Sequence, residues 1–156
     1  VKPDPKRVAA RHTAAGFHVT DEGERFWGSE AAGVLCIAEG SGRLLLTHRS
    51  FAVEQPGTWG LPGGALERGE TPAQAAKSEL REETAYSGQI RLVPAYVFRS
   101  GNFRFHNFIG HVPAEFRPRL NWENQGFGWF DLDDLPSPLH FGVKALLQNS
   151  RSLIER

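Results

Sequence analysis

Methionine is absent from all 156 residues, cysteine occurs once and tyrosine only twice. The lone Cys36 excludes a disulfide within the chain and fits a reducing compartment such as the cytoplasm. It lies in an apolar run, so it reads as a small buried side chain rather than a nucleophile. Net charge is missing too: 18 Lys and Arg balance 18 Asp and Glu, so no field draws the chain to a nucleic-acid polymer or an anionic membrane. No apolar run is long enough to span a bilayer, and the start carries no signal-peptide pattern. With no initiator methionine, the chain is expected to be a processed protein, an expression form or a domain of a longer polypeptide. Internal repeats and low-complexity stretches are also lacking. What remains is the composition of one globular domain able to bury a core, with a homodimer left open. Residues 1–16 suit a linker or short helical lead-in. We take 1–30 as a lead-in segment and 31–156 as the domain.

Against these absences stands one rich segment, Gly64 to Tyr86, GALERGETPAQAAKSELREETAY. Glu79, Glu82 and Glu83 fall at i, i+3 and i+4 and share one helix face. Three like charges there repel, so the helix needs a counter-charge. Carboxylates are hard oxygen ligands, and Mg²⁺ or Mn²⁺ held by a few of them, often beside substrate phosphates, supplies it. Thr71 with Gln74 reads as a capping box, Pro72 suits the first helical position and Gly88 the stop. Ala73, Ala76, Leu80 and Thr84 form an arc small enough to pack on a sheet, while Gln74, Lys77 and Arg81 face solvent. Upstream, Trp59-Gly60-Leu61-Pro62-Gly63-Gly64 supplies a short strand and a turn that brings backbone close to a ligand. A Glu-rich helix is by default a solvated face; loop, cap and spacing together argue otherwise.

Elsewhere the chain reads mainly as strands. Ala31–Ala38 is a buried strand, and Gly40–Gly42 turns it back into Arg43–His48 as its partner. Further strands are expected over Gln89–Arg99, where Pro94 marks an edge or bulge, over Phe103–Val112 and over Gly126–Phe130. Leu139, Val143, Leu146, Leu147, Leu153 and Ile154 predict a closing amphipathic helix. Strands around one helix, with a second helix last, imply an α/β fold with a mixed sheet and a helix on each face.

The Gly64–Tyr86 segment resembles the signature of the Nudix hydrolases, G-x5-E-x7-R-E-U-x-E-E-x-G-U. Gly64 and Glu70 fill its first positions, Glu79, Leu80, Glu82 and Glu83 its core, and Tyr86 its last. Ser78 stands where the family has arginine and Ala85 where it has the second glycine. The resemblance runs from Ala31 to Leu147 and implies an α/β/α sandwich with a mixed sheet. It also implies metal-dependent hydrolysis of a pyrophosphate bond in a small nucleoside diphosphate derivative: a nucleoside triphosphate, a dinucleoside polyphosphate or a nucleotide sugar. The metal ligands it implies are Glu79, Glu82 and Glu83, with the Gly63 carbonyl, and Mg²⁺ or Mn²⁺ as cofactor. Glu70 is expected to orient waters at the metal, and Glu123, in Asn-Trp-Glu-Asn-Gln-Gly, is a further catalytic candidate beside Glu82.

Several other residues invite roles. His48, His106 and His111 are strand histidines, more often structural than catalytic. Phe103, Phe105 and Phe108 suit core packing better than base stacking, Trp59 and Trp129 suit core or site wall, and Arg49 and Arg99 are candidate phosphate contacts. Ser78 cannot supply the positive charge of the usual arginine, and Lys77 and Arg81 stand on the wrong arc to replace it, so this site is expected to lean on its metal. Two other readings stand beside the hydrolase. One is a weakened nucleotide- or ADP-ribose-binding module; the other is an interaction domain of a longer polypeptide.

Overall fold

The computed structural model of the chain describes residues 17–19, 25–27 and 29–155, so the expected lead-in over 1–16 lies outside the described residues. Two short strands, β1 (Phe17–Val19) and β2 (Arg25–Trp27), pair antiparallel ahead of the main sheet. That sheet holds β3 (Glu30–Ala38), β4 (Leu44–Arg49), β5 (Trp59–Gly60), β6 (Gly63–Ala65), β7 (Arg91–Ser100), β8 (Phe103–Val112) and β9 (Asn124–Phe130). The helices are α1 (Pro72–Thr84), α2 (Phe141–Asn149) and the short α3 (Arg151–Ile154).

β3 is central and buried along nearly its whole length. Its residues alternate between two apolar layers, as strand geometry requires. Ala32, Val34, Cys36 and Ala38 pack under Ala75, Ala76 and Leu80 of α1. Leu35 and Ile37 pack with Val143, Leu146 and Leu147 of α2 and Ile154 of α3. One sheet between two helical layers is the α/β/α sandwich expected from the sequence. The sheet is mixed: β3 runs parallel to β8 from Glu30↔Arg104 to Ala38↔Val112, and the other pairings are antiparallel.

The expected pairing of Arg43–His48 with the preceding strand holds only at its root. β3 and β4 share a single register pair, Ile37↔Leu44, and then part. Residues 59–65 enter the gap, β6 taking the edge of β3 and β5 that of β4, while β4 finds its long partner in β9. This split sets the Leu-Pro-Gly-Gly turn in the middle of the sheet, with Val34 N–H bonded to the Pro62 carbonyl at 3.0 Å.

Two helix ends also differ from expectation. α1 stops at Thr84, and Ala85, not Gly88, takes the left-handed cap (φ 65°, ψ 13°), its N–H bonded to the Arg81 carbonyl. The chain turns before Gly88 because Thr84 Oγ1 bonds the Leu80 carbonyl and also accepts from Tyr86 N–H. The closing helix is two helices, α2 and α3, divided at Ser150, whose Oγ accepts the Tyr96 N–H of β7. The register of β7 slips between Pro94 and Val97, the bulge that Pro94 announces. Among the described residues, no helix is long and apolar enough to cross a membrane.

Candidate active site

α1 starts as its sequence dictates. Thr71 Oγ1 accepts from Gln74 N–H, Gln74 Oε1 accepts from Thr71 N–H, and Pro72 follows. With Ala75, Ala76 and Leu80 buried on the sheet, the helix phase turns Glu79 and Glu83 toward the Gly-Gly turn and leaves Glu82 exposed. Gln74, Lys77 and Arg81 are exposed, as read from the sequence.

Glu83 is the anchor. It is 3% exposed, and a carboxylate that deep needs partners. Gly63 N–H donates to Oε2 at 2.9 Å, and Asn124 Nδ2 donates to Oε1 at 3.0 Å. Burial, then the charges of Glu123 and Glu79, hold its carboxyl well above the usual range, against the pull of those two bonds. Glu79 lies against Gly64, where an added Cβ would fall 2.5 Å from its Oε1. Glycine is therefore required there by close approach, not by an unusual φ. Glu123 is held by Asn121, whose Nδ2 donates to its Oε1 at 3.2 Å. Glu70 is fixed at the other end: Oε1 accepts from Glu67 N–H at 2.8 Å, and Oε2 from Ser78 Oγ at 3.3 Å. Ser78 thus keeps an orienting contact with Glu70, though it adds no charge.

The structure therefore groups Glu79, Glu83 and Glu123 around the Gly63–Gly64 turn, with Glu70 and Glu82 at the flanks of α1. Gly63 is seen through its amide, not its carbonyl. Among the described residues, no three acidic, histidine or cysteine side chains are already close enough to enclose a metal ion. The donor chemistry nonetheless fits a divalent cation. The oxygens are hard, and the carboxyl of Glu83 is raised by burial and then by the charges of Glu123 and Glu79, the part that a cation there would relieve.

Arg49, at the end of β4, stands between these carboxylates and a cavity on the α2 side of the sheet. Its Nε donates to the Glu54 carbonyl at 2.7 Å. Burial lowers its pKa, opposed by the charges of Glu83, Glu123 and Glu54. The cavity, of about 100 Å³, runs from Arg49 and Gly63–Gly64 to Phe98, Phe105 and the start of α2. Phe103 and Phe105 also line it, while Phe108, on the opposite face of β8, packs under α1. Arg99 is exposed, paired in register with Arg104 on the β7–β8 hairpin, and does not line the cavity.

The strand histidines hold structure. His48 stacks on Trp59 at 4.5 Å and meets the Gly57 carbonyl through Nε2. His106 pairs with Glu30 at 2.7 Å, and His111 sits opposite Arg91 on the outer hairpin. Trp59 packs in the α2 layer and Trp129 in the α1 layer. Two residues of the site lay outside the sequence reading, Asn124 and His140. Asn124 follows Glu123 directly, but nothing in its spacing to Glu83 announces a contact 41 residues away. His140 precedes α2 as its cap, a place where Ser, Thr, Asp or Asn is the usual signal.

The family model described as NUDIX domain matches residues 29–149. A Mycobacterium tuberculosis protein named "Putative 8-oxo-dGTP diphosphatase 3" is 45% identical over 86 residues, 53% of this chain. The chain spans only 40% of that relative's length. CTP pyrophosphohydrolase of Escherichia coli is 34% identical over 97 residues, covering 62% of this chain and 72% of the relative. Among solved structures, a Nudix hydrolase from Mycobacterium smegmatis, RenU, superposes with a TM-score of 0.72 at 29% identity, covering 90% of this chain and 94% of that one.

Proposed function

The chain belongs to the Nudix family, and from that membership we propose that it is a divalent-metal-dependent hydrolase of the pyrophosphate bond in a nucleoside triphosphate. The names of the mycobacterial and E. coli relatives support the triphosphate class over a dinucleoside polyphosphate or a nucleotide sugar. One observation carries the reading: a buried glutamate, Glu83, held by the glycine turn and Asn124 while facing the charges of Glu123 and Glu79. A protein that only packed this helix would have little reason to bury that charge.

In this proposal Glu79, Glu82 and Glu83 hold Mg²⁺ or Mn²⁺, with the Gly63 carbonyl as a further ligand. Such an ion neutralises diphosphate charge and makes a water more acidic. Glu83 is fixed by its two hydrogen bonds, so its carboxylate is preorganised rather than searching for its geometry. Glu123, positioned by Asn121 beside Glu83, serves as the base that takes the proton of the attacking water. Glu70, pinned by Glu67 N–H and Ser78, orients water at the flank. The absence of a side chain at Gly64 lets the Glu79 carboxylate lie against the glycine turn. A single buried thiol, Cys36, supports a reducing cytoplasmic setting.

A second reading, a nucleotide-binding module with weakened turnover, draws on Ser78, which brings no positive charge to the box. One experiment separates the two. The protein is incubated with Mg²⁺ or Mn²⁺ and a panel of nucleoside triphosphates, sugar nucleotides and dinucleoside polyphosphates, and released products are measured. We expect triphosphate hydrolysis that falls by at least about a hundredfold in Glu82→Gln or Glu83→Gln, as loss of a metal ligand's charge implies. Tight binding without turnover on every substrate would replace the hydrolase with the module.

A further inference from the structure

The cavity on the α2 side carries polar groups that pyrophosphate chemistry does not need. Phe98, Phe105 and Phe141 give it aromatic walls suited to a flat ring. His140 stands at its end, stacked on Phe141 with ring centroids 4.5 Å apart. Its Nδ1 accepts the Gly142 N–H at 2.9 Å, capping α2. A neutral imidazole carries one proton, so with Nδ1 accepting, that proton is on Nε2. Burial, then the charge of Arg49, lowers the pKa of His140 to about 3, which keeps the ring neutral at working pH. Among the described residues, no group accepts from Nε2. Every side-chain polar atom of the described residues that is fully sealed from solvent has a partner, so Nε2 is not sealed, and His140 lines the cavity. Arg49 is the nearby second donor. An ideal Cβ on Gly60 would lie 3.5 Å from Arg49 Cδ and 3.6 Å from His140 Cβ, so the two side chains flank the same point of β5.

We propose that His140 is a specificity-determining residue whose Nε2–H, beside the Arg49 guanidinium, selects a nucleobase with a ring oxo group, such as a 6-oxopurine, over a 6-aminopurine. Two adjacent donors match the O6 and N7 acceptors along one edge of guanine. The same edge of adenine keeps the N7 acceptor but sets the 6-amino group where guanine has O6, leaving one donor facing a donor with no partner. This rests on the nucleotide reading above and deepens it to a base preference.

The test compares dGTP and dATP as substrates with Mg²⁺, and dGMP and dAMP as ligands by calorimetry. Wild-type protein should favour the guanine member by about tenfold or more in both assays, the scale of one unpaired polar contact. His140→Asn keeps a cap acceptor for α2 and withdraws the donor from the Nε2 position, which its shorter amide does not reach, while His140→Phe keeps the ring and removes both donor and acceptor. Each variant should bring the ratio to within about twofold, with the loss appearing in the KM for dGTP. Equal handling of the two bases by wild type, an unchanged ratio in His140→Asn, or binding of neither monophosphate would overturn the proposal. Preferential dGMP binding with no triphosphate turnover would instead overturn the hydrolase reading and leave the base preference standing.

Discussion

A histidine neutral in the fold and basic when unfolded leaves a signature in stability. His140 has a folded pKa of about 3 against roughly 6.5 for the exposed side chain. Between those values the unfolded chain binds a proton that the folded chain refuses, so stability rises with pH across the window. It is fully present above pH of about 6.5 and is lost as pH falls toward 3. Urea unfolding between pH 7 and pH 4 should therefore show wild type losing stability more steeply than His140→Asn, by on the order of 1 kcal/mol per pH unit. Parallel pH profiles for the two proteins would rule this out. His140 also marks a limit of sequence reading: its fixed tautomer depends on a helix start, and its lowered pKa on burial and on an arginine 91 positions away in the chain, and no local pattern encodes either. Glu79, Glu83 and Glu70 were legible because their spacing is local, and a helix turns spacing into a face.

At the scale of elements, α1 was readable almost entirely from its own residues. The capping box and the proline form as read. Of the small apolar arc, Ala76, Leu80 and Thr84 are buried, with Ala75 in place of the half-buried Ala73. Each of these features depends on neighbours within one or two turns. Its end was not. Gly88 carries the usual stop signal, yet Ala85 adopts the left-handed cap, since the Thr84 hydroxyl closes the turn three residues early. An alanine with φ 65° pays for its Cβ, at roughly 1–2 kcal/mol. Ala85→Gly should relieve that strain against the greater freedom of glycine in the unfolded chain, a net gain of about 0.5–1 kcal/mol in urea titration. A loss of stability would show that the cap is not strained. The splitting of β3 from β4 was equally hidden, because pairing across a sheet is decided by which strands compete for an edge. The sequence shows strands but not that residues 59–65 outbid β4 for β3.

Over the whole molecule, the split sheet is what joins the two halves of the site. It seats Gly63 and Gly64 against α1 on one side and opens the cavity toward α2 on the other, so that carboxylates and aromatic walls meet at Arg49. This arrangement stores an electrostatic penalty. Glu83 is buried beside Glu123 and Glu79, with its carboxyl raised by that burial and those charges, and Ser78 leaves the box without its usual cation. A ligand that binds only the folded state stabilises it by mass action, and under the proposed function a divalent ion held by these carboxylates would do so while relieving the repulsion. Adding Mg²⁺ at about a hundred times its dissociation constant should stabilise the protein by about 2.7 kcal/mol, which corresponds to several degrees in melting temperature for a domain of this size. Ser78→Arg would place a guanidinium beside Glu70, the carboxylate that the serine hydroxyl now holds, and share the neutralising role. The magnesium-dependent rise in melting temperature should then shrink, and the metal-free protein should melt higher than wild type. Differential scanning calorimetry with EDTA and with Mg²⁺ reads both quantities, and a melting temperature indifferent to Mg²⁺ in wild type would remove the premise that the carboxylate cluster is built around a cation.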